Sequence, residues 1–188
     1  VGWVASGDRV NHFGDRNLHA GVFEGQTYRG ALQFPLASIP VGSRIHYAAV
    51  ELMGLSGENV GSDGKWALRL LDSAADSNWS TITYERVRDA AVVDTIGAPL
   101  SSTDLAVRQA NVFTFSPEQL PLLEERLEAR FASFRIDGPT EGTKNLFTWD
   151  TGYGSGFGVR PVFRVIYSPP PTLTPIVITV TPVPANLA

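Results

Sequence analysis

The sequence predicts an all-β chain with one ancillary α-helix and an extended C-terminal strand, and three observations carry that expectation. Short segments of alternating or β-branched residues recur between turn signals. One stretch, residues 116–130, switches to helical spacing. A β-branched run bounded by prolines follows the last of the domain's strands.

The clearest pair of strands lies within residues 28–54. Residues 29–34 alternate, with Leu32 and Phe34 apart from Ala31 and Gln33, and Ile45, Tyr47, Ala49 and the run 50–53 form the second strand. Between them Ile39-Pro40-Val41-Gly42 cannot be helical: Pro40 fixes its own φ and biases Ile39 toward an extended conformation, and Gly42 is free to turn.

The remaining elements follow in order. Residues 1–5, around Trp3, read as a first strand, and the polar loop behind them carries Asp8, Asn11, Asp15 and Asn17. Two readings fit that loop: plain turns in which Asx side chains bond their own backbone, or oxygen ligands for calcium without the EF-hand spacing. Residues 56–65 are a Gly- and Asp-rich loop, 66–71 a strand and 72–78 a polar connection. Asn78-Trp79-Ser80 matches a glycosylation sequon, while Trp79 also suits the core. Residues 84–96 read as two short apolar segments, at Val87 and at Val92-Val93, and 112–115 as a strand.

The helix opens on Ser116-Pro117-Glu118-Gln119, spaced as an N-cap, a proline at the first helical position and a capping-box partner. Leu120, Leu123, Leu127 and Phe131 then form one apolar stripe, with Glu124, Glu125, Arg126 and Glu128 expected to face away. Residues 134–136, 146–149 and 159–167 read as the last strands of the domain. Between the last two, the loop 150–158 alternates glycine with other residues and has no lysine, which excludes a phosphate loop. Trp149, Tyr153 and Phe157 are candidates to stack on a sugar ring, or else to pack the core and loop.

At these residues a resemblance appears. Tyr28, Arg29, Ala31, Leu32, Phe34, Leu36, Ile39, Pro40, Gly42 and Ile45 together resemble the signature of the DNRLRE-domain family. The run from Asp8 through Asn11 and Gly14 to Leu18 and Gly21, Trp79 ahead of Thr81, Thr83 and Tyr84, and Arg160-Pro161-Val162-Phe163 resemble further landmarks of that family. The resemblance implies an extracellular, jelly-roll-like antiparallel β-sandwich related to carbohydrate-binding modules, over residues 1–167. The long helix is not part of the family pattern.

Composition narrows the function. A chain of 188 residues with 43% hydrophobic content can bury one sizeable core. A net charge of −4 gives no basic footprint for nucleic acid, and no apolar run approaches the ~20 residues that span a bilayer. Without cysteine there are no thiolate zinc sites, disulfides or cysteine nucleophiles. His12, His19 and His46 lack any metal-ligand spacing, and no nucleophile elbow occurs. Asp137, Glu141 and Asp150 allow a glycosidase pair to be imagined, but scattered solvated acids explain them better. The expectation is therefore a non-enzyme with no metal and no cofactor.

Residues 168–188 form a separate extension. Pro169, Pro170 and Pro171 stiffen its start, and Ile176, Val177, Ile178, Thr179 and Val180 have strand composition, with Ile176, Ile178 and Val180 on one face. Burying those three contributes ~5 to 8 kcal/mol, whereas fixing about seven residues costs roughly 7 to 14 kcal/mol. Main-chain hydrogen bonds at an open sheet edge close that gap, and the prolines reduce the ordering cost. Three destinations fit: donation to the next identical subunit, docking on its own subunit, or a linker to another domain or the cell wall. The favoured expectation is an extracellular, cell-surface filament subunit polymerising head to tail by strand donation. The alternative is a carbohydrate-binding or adhesive module, with polysaccharide as partner.

Overall fold

The chain is an all-antiparallel β-sandwich of jelly-roll-like form, with its sheet curled nearly into a barrel. The computed structural model describes residues 1–154 and 156–171; Ile176, Val177, Ile178, Thr179 and Val180 lie outside the described residues. The strands are β1 (Gly2–Ala5), β2 (His12–Phe13), β3 (Asn17–Phe23), β4 (Gln26–Pro35), β5 (Arg44–Asn59), β6 (Lys65–Leu71), β7 (Val92–Ser101), β8 (Ala110–Thr114), β9 (Phe131–Asp137), β10 (Lys144–Asp150) and β11 (Val162–Ser168). Two helices, α1 (Tyr84–Asp89) and α2 (Leu120–Ala129), and two short 3-10 segments, Ser73–Asp76 and Trp79–Thr81, complete it.

The main path of the sheet runs β11-β5-β10-β3-β4-β9-β6-β7, with β8 added to β5 and β1 to β4. Strand β5 has sixteen residues and serves both layers. Its first part pairs with β11 and β8, from Arg44 to Met53, and its last part, from Gly54 to Asn59, pairs with β10 across register shifts. The β3–β4 hairpin closes through Glu24 and Gly25, both at positive φ, a two-residue turn that matches the right-handed twist of the strands.

One continuous core fills the space between the layers. Leu18, Leu32, Trp66, Leu68, Phe134, Ile136, Phe147 and Trp149 meet Ile45, Val50, Leu52 and Phe113, with Leu123 and Leu127 of α2 closing one side. Trp66 reaches across the sheet, its indole N–H donating to the Ala20 carbonyl at 2.8 Å. A second, smaller cluster covers part of the outer face: Val4, Ala31 and Leu71 lie beneath Trp79, Ile82, Tyr84 and Val87.

The structure corrects several expectations. The helix is shorter than 116–130 because Ser116 and Gln119 form a separate turn: the Ser116 N–H donates to Gln119 Oε1 at 3.1 Å, and that side chain also bonds Asp94 and Gly97. Phe131 is not on the helical stripe, because Arg130 ends α2 in the left-handed conformation and Phe131 begins β9, largely exposed. Arg126 does not face away. It is buried, and its Nη2 donates to both carboxylate oxygens of Asp76, at 2.9 and 2.7 Å. The first of the two short apolar segments, around Val87, forms α1, with Tyr84 and Val87 turned inward.

The Arg126–Asp76 pair ties α2 to the first 3-10 segment, and Ser133 Oγ completes it by donating to Asp76 Oδ1 at 2.6 Å. Breaking such a pair leaves a buried charge without a partner, so Arg126→Ala is expected to cost about 3–5 kcal/mol. Glu125→Ala, on the exposed face of the same helix, is expected to stay within about 0.5 kcal/mol. Urea unfolding of the two variants checks this, and equal midpoints would contradict it.

Candidate functional site

Three surfaces bear on function. The first is built where the N-terminal loop folds over the outer face of β3. The His12 ring stacks on Trp3, with centroids 3.7 Å apart and planes 2° from parallel. Its two nitrogens face carboxylates, Nε2 at 3.0 Å from Asp8 and Nδ1 at 3.4 Å from Asp15. His19 meets Trp3 and Tyr28 edge to face, and its Nδ1 lies 3.0 Å from Thr148 Oγ1. Burial against these rings lowers the His19 pKa from its ordinary 6.5 to about 4; the Asp15 charge opposes this to a smaller extent and His12 adds to it.

The loop oxygens do not converge. Asp8 and Asp15 are directed at His12, Asn11 donates to the carbonyls of Ser80 and Ile82, and the side-chain amide oxygen of Asn17 is buried without a partner among the described residues. Among the described residues no group of three or more His, Cys, Asp or Glu is arranged to hold a metal ion. His46 lies beside Ser168 Oγ at 2.8 Å, and Asn78 of the sequon is exposed while Trp79 is core.

The second surface is the glycine-rich loop. Asp150, wholly buried, accepts from the backbone N–H groups of Gly152 and Val159, at 2.8 and 3.1 Å, and so closes the loop on itself. The Thr151 N–H donates to the Arg16 carbonyl, which joins this loop to the N-terminal one. Beside it lies a cleft of about 340 Å³ lined by Arg16, Asn17, Leu55, Ser56, Thr148 and Gly156.

The three aromatic residues expected to meet a sugar separate here. Trp149 is fully buried, because the alternation of β10 points it inward with Phe147, whose ring lies 4.8 Å away; it offers no face to a ligand. Tyr153 and Phe157 are exposed, each with a guanidinium near its ring, Arg160 at 5.4 Å and Arg108 at 5.7 Å. Asp150 is enclosed, and Asp137 is occupied by Arg29, Arg69 and Arg135, so neither stands as a free carboxylate. The cleft residues Asn17, Ser56 and Thr148 gave no sequence signal beyond their polarity.

The third surface is the outer edge of β11. Along all seven of its residues β11 pairs with β5 on one side, and among the described residues nothing pairs with its other side. Val162, Ile166 and Tyr167 are exposed on it. At the opposite end of the path β7 carries Pro99, which removes a donor from that edge. Sequence reading identified β11 as a strand but contained no signal that it would lie at an edge.

No protein-family model matches the chain, and no curated protein matches it. Among the described residues no helix is long and apolar enough to cross a membrane.

The His19 environment makes a testable statement about pH. Its folded pKa lies below the unfolded value, so as pH falls the unfolded chain takes up the proton first. The stability held by neutral His19 is complete above the ordinary 6.5 and is lost down to about 4, amounting to roughly 3 kcal/mol. Urea midpoints compared between about pH 7 and about pH 4.5 should fall more steeply for the natural chain than for His19→Gln. Equal slopes would contradict this account.

Proposed function

We propose that this chain is a structural subunit of an extracellular filament, joined head to tail when the C-terminal extension of one copy adds as a β-strand to the sheet of the next. The outer edge of β11, unpaired among the described residues, is the observation that supports it. A seven-residue edge with exposed Val162, Ile166 and Tyr167 and no proline inside it is a ready template for another strand. The same sequence carries a β-branched strand candidate, Ile176 to Val180, behind a stiff proline run. A contact between two different surfaces of the same chain is heterologous, and its repetition gives an open polymer.

Removing residues 172–188 is expected to leave a soluble monomer in sedimentation, and Ile178→Asp to weaken assembly in the same direction. Rods that persist in electron micrographs of the truncated chain would overturn the reading.

A second reading, a carbohydrate-binding or adhesive module, is favoured by the cleft beside the glycine-rich loop with Tyr153 and Phe157 exposed on that loop. In that case Tyr153→Ala with Phe157→Ala should abolish retention on polysaccharide gels, and truncation at residue 171 should leave retention unchanged. Loss of retention on truncation alone would contradict it.

A further inference from the structure

The proposed function rests on an edge, and an edge supplies only backbone hydrogen bonds. Side chains decide which strand is accepted. The inner side of β11 shows what would do the selecting. Phe163 and Val165 are only partly buried, although both pack against the main core. Together with Tyr167 they form one wall of a groove whose other wall is Phe34, Pro35, Leu36, Ser38 and Ile39, at the end of β4 and in the turn after it. The groove holds about 230 Å³, several times the ~30 Å³ share of a liquid water molecule. Its floor is aromatic: Phe163 lies 5.3 Å from Phe34 and 5.5 Å from Phe134, ring centre to ring centre. Here the hydrophobic core reaches the surface between the two layers, beside a strand whose outer hydrogen-bonding edge is unpaired among the described residues.

We propose that this groove, resting on the filament reading above, is the acceptor site, and that its occupant is the segment Ile176 to Val180 of a second copy of the chain. Periodicity matches occupant to site. Phe163, Val165 and Tyr167 recur every second residue along β11, and Ile176, Ile178 and Val180 recur every second residue along the segment. With the two strands side by side, the aliphatic triplet enters the groove while Val177 and Thr179 face outward. Pro175 and Pro182 bracket the segment and limit it to a length that the seven-residue edge can accommodate.

The chain's own exit assigns the segment to a neighbour. Pro170 lies against the turn at Gly42, three residues along from Ile39 of the groove wall. To fill its own groove the chain would have to reverse between Ser168 and Ile176. That interval contains four prolines and no Gly, Asn or Asp, the residues that tight strand reversals require. Prolines 169–171 instead favour an extended course. Five further residues bring Ile176 up to ~16 Å beyond Pro171, about the ~15 Å radius of a domain this size, so a subunit in contact with the first is within reach.

The chain has no cysteine, which makes disulfide trapping clean. The full-length double variant Val165→Cys with Ile178→Cys pairs the central positions of the two triplets, so the trap works whichever way the donated strand runs. Under oxidation the expected result is a ladder of covalent oligomers on a non-reducing gel. In parallel, Tyr167→Asp in the groove should raise the concentration needed for assembly about tenfold or more. Val10→Asp, at an exposed position in the loop between β1 and β2, should change it less than about threefold. An internally cross-linked monomer would overturn the assignment to a second copy. Assembly that depends on the tail but ignores Tyr167→Asp and gives no trap would overturn the groove and leave the filament reading standing. A covalent species that stops at the dimer would keep the groove and overturn the open polymer. Failure of the natural chain to assemble at any concentration would overturn the filament reading itself.

Discussion

Strand β5 is the constraint on which the rest of the structure depends. It is the one strand that pairs with β11 and β8 along its first part and with β10 along its last, so the two layers share a backbone rather than merely touching. Everything on its N-terminal half, including β11, is held to the domain through β5. An edge strand held from one side only is structurally sound when its inner side chains are packed, as Phe163 and Val165 are against the aromatic cluster. Among the described residues nothing pairs with its outer hydrogen-bonding groups.

The polar groups in the interior act as pins between elements that hydrophobic contact alone would let slide. Gln119 joins the turn before α2 to β7 by bonding Asp94, the Thr95 carbonyl and the Gly97 N–H. Asp137 gathers Arg29 from β4, Arg69 from β6 and Arg135 from β9, three strands that lie side by side in the sheet. Arg135 also donates to the Val87 and Arg88 carbonyls, which fastens α1 over the outer face. Each pin is made of residues distant in sequence and fixes a register that apolar packing leaves soft.

That distance explains what could be read in advance. Strands β1, β4, β6, β8, β9, β10 and β11 were legible because their alternation is local, and so was the helix, whose leucines repeat within one segment. Strand β3 was hidden although Leu18, Ala20 and Val22 alternate correctly, because the Asp- and Asn-rich residues before it read as loop. The last part of β5 was hidden by Gly54, Ser56 and Gly57, which are tolerated there because β10 supplies the pairing. The burial of Arg126 was invisible because its partner, Asp76, lies 50 positions away. Of the candidate surfaces, the exposed Tyr153 and Phe157 were legible as loop aromatics. For Trp149 the sequence left sugar stacking and core packing both open, since whether a strand residue points inward depends on which neighbours the strand acquires.

The position of the two candidate surfaces along β5 has a consequence for assembly. The cleft with Leu55, Ser56 and Thr148 lies where β5 pairs with β10, and the groove with Phe163, Val165 and Tyr167 lies where β5 pairs with β11. They share no lining residue, and they sit on opposite halves of a strand of sixteen residues. The groove residues of β11 sit opposite Ile45, Ala48 and Val50, five to ten residues before Leu55 of the cleft; at about 3.3 Å per residue that is roughly 16 to 33 Å of strand, which exceeds the ~10 Å beyond which sites usually behave independently. A subunit built this way can be linked to its neighbour at one end of β5 without covering the loops at the other. Polymerisation would then set the spacing at which the Tyr153 and Phe157 loops are displayed, and weak individual contacts made by those loops would add through multivalency rather than through any change in the fold.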